Sequence, residues 1–226
     1  MNHAAASGAI RGVIFDLDGT LYTLPALKLR IAFRLWRSLG FLRRLSTARN
    51  AVRSQNFDSP AALLGAFYDQ LALATGHTAA EAEQWFQREF SGAFVQTLKA
   101  HARLRQGVPQ MLHALRQNGV RTAVLSDYAW VKERLGAIGI DFCLFDTIAS
   151  TEDFGALKPS PVAFRQLATN WHLPAEQVLV VGDRLDMDRA AADTAGMPFW
   201  DITAPKGNAR MWQQVLDLTA VATDTE

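Results

Sequence analysis

GVIFDLDGTLY, residues 12–22, sets a buried strand against a problem of charge. The apolar run Val13-Ile14-Phe15 ends in two aspartates one residue apart, Asp16 and Asp18, followed by Gly19 and Thr20. A covered strand gains nothing from two like charges at its tip, because desolvating a carboxylate is costly unless something compensates it. The pair points to a compensating group at the end of a strand.

Working outward, TAVLSD (122–127), LFDTIAS (144–150), VLVVGD (178–183) and PFWDIT (198–203) join GVIFD (12–16) as strand candidates. Their apolar runs are continuous rather than alternating, as in strands buried on both faces. Helical patterns lie between them. Val108, Leu112 and Leu115 repeat at helical spacing, and Asn118-Gly119 supplies a stop. Ser160-Pro161 predicts a helix start, with Ser160 as N-cap and Pro161 in the first helical position, before Val162, Phe164, Leu167 and Trp171. Strands alternating with helices predict an α/β fold with a doubly wound, Rossmann-like parallel sheet.

Residues 24–104 break this alternation with helix-compatible segments: LKLRIAFRLWRSLG, SPAALLGAFYDQLALATG and TAAEAEQWFQREFSGAFVQTL. The expected organisation is a disordered lead-in (1–11), an α/β core made of 12–23 and 105–226, and an inserted helical subdomain (24–104). With 226 residues the chain is long enough to bury a sizeable core. Its 49% hydrophobic and 20% charged residues are ordinary for a globular protein, and a net charge of +1 offers no field for nucleic acid. The lone cysteine, Cys143, fits a reducing compartment. The first nine residues lack the basic start and apolar stretch of a signal peptide, and no uncharged apolar stretch has membrane-helix length. A cytoplasmic location is expected. The five histidines are scattered, without metal-ligand spacing, and no Walker loop, nucleophile elbow or dinucleotide fingerprint occurs.

Four short segments fall at predicted strand ends or helix starts, the edge where open α/β sheets bind ligands. They are Asp16–Thr20, Ser126-Asp127, Lys158-Pro159 and GDRLDMD, which carries Asp183 and Asp188. Singly, such residues are often turn formers, helix caps or solvated loops. Together they meet one chemical requirement. Asp16, Asp18 and Asp183 near one point need a cation, and hard oxygen ligands suit Mg²⁺. A lysine, a hydroxyl and backbone N–H groups suit phosphate oxygens. One carboxylate can then attack phosphorus while a second manages the leaving-group proton, which is phosphoryl transfer through an aspartyl-phosphate.

In that order, DLDGT (16–20), SD (126–127), KP (158–159) and GDRLDMD (182–188) resemble the haloacid dehalogenase superfamily of hydrolases. The likeness runs almost continuously through 105–203. The resemblance implies roles. Asp16 is nucleophile and Mg²⁺ ligand; Asp18 is general acid and base and lends its backbone carbonyl to the metal. Ser126 and Lys158 bind the phosphoryl group, Asp183 completes the metal site with Asp188 behind it, and Thr20 braces the loop. The insertion corresponds to the family's mobile cap. Asp18 places the chain with the phosphatases, since the dehalogenases that name the family lack a carboxylate there and use no metal. Asp127 departs from the usual Ser-Asn or Thr-Asn; it points away, binds a neighbouring backbone N–H, or touches the leaving group.

From Lys28 to Arg53 there are eight Lys or Arg and no acid, interleaved with Phe33, Trp36 and Phe41. A solvated basic face is the first reading, attraction of an anionic substrate or partner the second, interfacial membrane binding a third. The function expected is a Mg²⁺-dependent phosphatase acting on a small phosphorylated metabolite, with neither nucleic acid nor membrane as partner. A phosphotransferase or mutase is the alternative. A binding module on a vestigial core is least expected, because every catalytic position holds a competent residue. Neither the leaving group nor the oligomeric state is legible.

Overall fold

A computed structural model describes residues 9–53, 55–203 and 208–219. From the first strand candidate comes β1 (Gly12–Phe15), every residue of it buried. The chain then passes through β2 (Tyr22–Thr23) into α1 (Leu27–Arg34), α2 (Leu39–Arg53), α3 (Pro60–Thr75), α4 (Ala79–Gln84) and α5 (Ser91–His101). It returns by β3 (Arg103–Leu104), which pairs antiparallel with β2. After that come α6 (Val108–Gln117), β4 (Arg121–Ser126), α7 (Val131–Ala137), β5 (Thr147–Ser150), α8 (Val162–Asn170), β6 (Val178–Gly182), α9 (Ala190–Ala195), β7 (Phe199–Asp201) and α10 (Asn208–Thr219).

The main sheet has the order β5-β4-β1-β6-β7 and is parallel throughout. Connections after β1 run first to one side, through β4 and β5, then to the other, through β6 and β7, so the topological switch lies at the carboxyl ends of β1 and β6. Both faces are covered, as the unbroken apolar runs require. Val13, Phe15, Val124, Leu179 and Val181 pack on one side, joined by the helical region. Ile14, Ala123, Leu125, Val178 and Val180 pack on the other, against α8 and α9.

Local chemistry explains the element ends. α3 opens at Ser59, whose side chain accepts from Ala62 N–H, and closes at Gly76 in the left-handed region. α4 opens with a capping box between Thr78 and Glu81, and a π-type stretch, Trp85–Phe90, carries it into α5. Val108, Leu112 and Leu115 are all buried, and Asn118-Gly119 ends α6.

Several expectations need correction. The strand expected from Leu144 starts at Thr147, because Asp141 caps a helical turn over Phe142–Leu144 and the Asp146 carboxylate accepts the Thr122 N–H at 2.8 Å. The strand expected through Thr203 stops at Asp201, whose Oδ1 turns back to accept the Thr203 N–H at 2.7 Å. Pro161, not Ser160, is the N-cap of α8, so that helix begins one residue later than expected. Of the expected lead-in, residues 1–8 lie outside the described residues. Ile10 is buried and donates its N–H to Leu218, while Arg11 bridges Gln177 and Arg121 through its backbone.

Candidate active site

Each strand that flanks the switch delivers one polar group to its carboxyl end. Asp16 follows β1 and its N–H still pairs with Val181 of β6. Ser126 ends β4, and Asp183 follows β6. The loop after Asp16 turns at Gly19, with φ +92°, where a Cβ would overlap the Asp183 carboxylate. Glycine is therefore needed twice over, for backbone conformation and for close approach.

Asp16 is nearly buried and both its oxygens are held. Lys158 Nζ donates to Oδ1 at 2.7 Å and the Thr20 hydroxyl donates to Oδ2 at 3.0 Å. Thr20 is itself fully buried, so its hydroxyl serves Asp16. Lys158 also donates to the Leu125 carbonyl at 2.8 Å and pairs with Asp188 at 2.8 Å. Asp188, buried in the turn before α9, accepts the Arg184 N–H at 3.2 Å.

One carboxylate oxygen each from Asp16, Asp183 and Asp188 lie within 4.8 Å of one another. Burial, with Asp188 and Asp18 nearby, pushes the Asp16 carboxyl up to about 8 against the pull of Lys158. Burial and the Asp188 charge push Asp183 up to about 6. Burial alone would lower Lys158, but Asp16 and Asp188 hold its ammonium above the usual range. Asp183 Oδ1 is a buried acceptor with no hydrogen-bond donor among the described residues. Three hard carboxylates facing one lysine leave uncompensated negative charge, and an orphaned oxygen belongs to that set. These donors fit a divalent cation such as Mg²⁺. The side-chain cluster draws on Asp188 where the sequence reading used Asp18.

Asp18 is turned elsewhere. Its Oδ2 accepts from the Ser126 hydroxyl at 3.0 Å and from Arg134 Nη1 at 2.6 Å, and its Oδ1 accepts from the Tyr22 hydroxyl. Arg134 is fully buried, donates to the Tyr128 carbonyl at 2.6 Å and lies 5.1 Å from the Phe94 ring centroid. Sequence reasoning missed Arg134 and Tyr22. A signal was present: Arg134 falls on the same face of α7 as Val131 and Leu135, where a solvated arginine does not belong. Arg105 was also missed; it donates to the Gly19 carbonyl at 2.7 Å and supports the loop.

Asp127 takes the second of its three placements. Its Oδ1 accepts the Lys158 N–H and the Thr151 hydroxyl, both at 2.9 Å, and its Oδ2 pairs with Arg53 at 2.5 Å. Although burial opposes it, Arg49, Lys158 and Arg53 hold the Asp127 carboxyl below the usual range. The basic segment is thus not wholly a solvated face. Arg49 is buried, pairs with Glu152 at 2.7 Å and stacks 4.2 Å from the Tyr128 ring centroid. Arg53 also donates to the Lys158 carbonyl.

Residues 10–196 match the family model of the haloacid dehalogenase-like hydrolases. The chain belongs to this family. It is 29% identical, over 83% of its length and 82% of the relative's, to a glyceraldehyde 3-phosphate phosphatase of Methanopyrus kandleri. Among solved structures, a predicted phosphoglycolate phosphatase of Haemophilus somnus shares the fold with a TM-score of 0.62, at 23% identity over 93% of this chain and 98% of that one. A 2-haloacid dehalogenase of Pseudomonas syringae shares it equally well, with a TM-score of 0.62 at 20% identity over 92% and 97%. A fold common to phosphatase and dehalogenase leaves the choice of reaction to the site of this hydrolase.

Proposed function

We propose that this hydrolase is a Mg²⁺-dependent phosphatase of a small phosphorylated metabolite, working through an aspartyl-phosphate on Asp16. The observation that carries the reading is the setting of Asp16, whose carboxylate is clamped by Lys158 and Thr20 beside Asp183 and Asp188. The phosphatase relative of Methanopyrus kandleri supports it.

Asp16 attacks phosphorus and the bond to the leaving oxygen breaks. Asp18 gives that oxygen a proton, then takes one from the water that opens the aspartyl-phosphate. Lys158, and Ser126 on release from Asp18, hold the phosphoryl oxygens. Asp16 and Asp183, with Asp188 and the Asp18 carbonyl, would hold Mg²⁺, which when bound supplies charge neutralisation at the phosphoryl group. Asp127 organises Lys158 and receives Arg53. The unit of residues 24–104 acts as a cap over a core made of 12–23 and 105–226, excluding water and selecting the substrate. The exposed thiol of Cys143 is consistent with a cytoplasmic enzyme.

The test is phosphate release from an aryl phosphate with Mg²⁺, with EDTA, and with Asp16→Asn. Turnover is expected only with the metal, and the variant should lose more than about 10³-fold in kcat. Full activity in EDTA or in the variant would overturn the reading.

A further inference from the structure

Leu29, Phe33 and Trp36 are 72%, 83% and 66% exposed. Their spacing of four and three residues puts them on one stripe of α1 and the turn that follows it. The opposite side of the same helix is spent on the core, where Ile31 and Leu35 are buried. Scattered exposed apolar residues are ordinary on protein surfaces, but three in register form a second apolar face on a helix that already has one.

The stripe is set among cations. Lys28, Arg30, Arg34 and Arg37 are all exposed, and no ion pair among the described residues includes any of them. Arg30 donates to the Pro25 carbonyl, Arg34 to Gln96 Oε1, and Arg37 lies 5.6 Å from the Trp36 ring centroid. The stripe lines one side of an open groove of about 1140 Å³ between α1 and α5, to which Arg88 and His101 add further basic groups. The acid on its rim, Glu89, accepts from Ser38. None of the carboxylates of the active site lines this groove.

We propose that this face docks on an anionic lipid surface. Leu29, Phe33 and Trp36 enter the boundary between headgroups and acyl chains, while Arg30, Arg34 and Arg37 extend from the flank of the stripe to lipid phosphates. A second copy of the chain fits the charge less well, because a two-fold contact would set these arginines against their own copies. An acidic helical peptide would need a floor that closes over its apolar face, whereas Leu29, Phe33 and Trp36 line the groove yet stay largely exposed.

The experiment is co-sedimentation of the full chain with vesicles of phosphatidylcholine and phosphatidylserine, and with pure phosphatidylcholine, at low and high salt. Binding should require the anionic lipid and weaken with salt. Leu29→Ser/Phe33→Ser/Trp36→Ser and, separately, Arg30→Glu/Arg34→Glu/Arg37→Glu should each lower partitioning about tenfold or more. Both variants should keep the wild-type melting temperature, which separates lost docking from lost folding. The Trp36 contribution to fluorescence, taken as the difference from Trp36→Phe, should shift to shorter wavelength on anionic vesicles. Absence of binding, equal binding to both lipids, or binding untouched by either triple variant would overturn the proposal. So would a concentration-dependent dimer that the serine variant dissolves, which would identify a second copy as the occupant.

Discussion

Asp18 is gripped by side chains from three separate parts of the chain: Tyr22, Ser126 and Arg134. Buried arginine is costly unless its charge is paired, so Arg134 and Asp18 stabilise one another; in the proposed mechanism Arg134 would aim the group that moves the leaving-group proton. Arg134→Met should lower stability by roughly 2–4 kcal/mol, less than for a fully buried pair because Asp18 is partly open to solvent. It should also cost more turnover on an alkyl phosphate than on an aryl phosphate, since an aryl oxide departs without a proton. Arg134→Lys should recover part of both. Equal losses on the two substrates would remove Arg134 from the proton transfer. At this scale the carboxylates Asp16, Asp18, Asp183 and Asp188 were legible in the sequence, because charge at the end of an apolar run is conspicuous. Arg134 was not, because its partner is fixed only when α7 and the loop after β1 meet in space.

Among the elements, α2 is the one whose reading changed most. Its arginines at positions 49 and 53 share a face with Leu45, Ala48 and Val52, and that face packs inward. Composition alone reads a basic helix as solvated; only the facing Glu152 and Asp127 show that Arg49 is a buried partner and Arg53 a half-buried one. Arg49→Met should destabilise the protein by about 3–5 kcal/mol in urea melts, because Glu152 is left unpaired. The double variant Arg49→Met/Glu152→Met should recover most of that loss. A double variant as unstable as the single one would mean that the arginine acts mainly through its stacking on Tyr128. Strand lengths show the same division. β1 and β6 match their apolar runs, while β5 and β7 are clipped by Asp146 and Asp201, whose side chains take backbone N–H groups. The two-residue strands β2 and β3 were not legible, being too short for a pattern, yet they pair where the helical unit leaves and rejoins the chain.

For the whole molecule, the carboxylate cluster makes stability depend on pH in an unusual direction. Asp16 and Asp183 are raised from 3.8 to about 8 and about 6, so above pH 4 these two carboxyls hold more protons in the folded protein than in the unfolded chain. The stability these two carboxyls contribute is therefore present near pH 4 and is lost as pH rises through about 6 and then about 8. Without metal, melting temperature should fall over that range, and Mg²⁺ should restore more at pH 8 than at pH 5. A metal-free melting temperature that rises between pH 5 and 8 would contradict this account. No helix among the described residues is long and apolar enough to cross a membrane; the proposed docking at a bilayer would rest on the exposed stripe of α1 and the turn after it.

By itself, the sequence determined the parallel α/β sheet, the run of helices after β1 and the carboxylates gathered at the sheet's edge. Continuous apolar runs, caps and strand-end charges are local patterns, and local sterics and burial suffice to read them. Tertiary structure alone decided which cations meet which acids: Arg134 on Asp18, Arg49 on Glu152, Arg53 on Asp127. It also decided which apolar residues of α1 are core and which are surface. Those pairings join residues 74 to 116 positions apart and depend on how whole elements pack, a distance over which sequence spacing carries no geometric information.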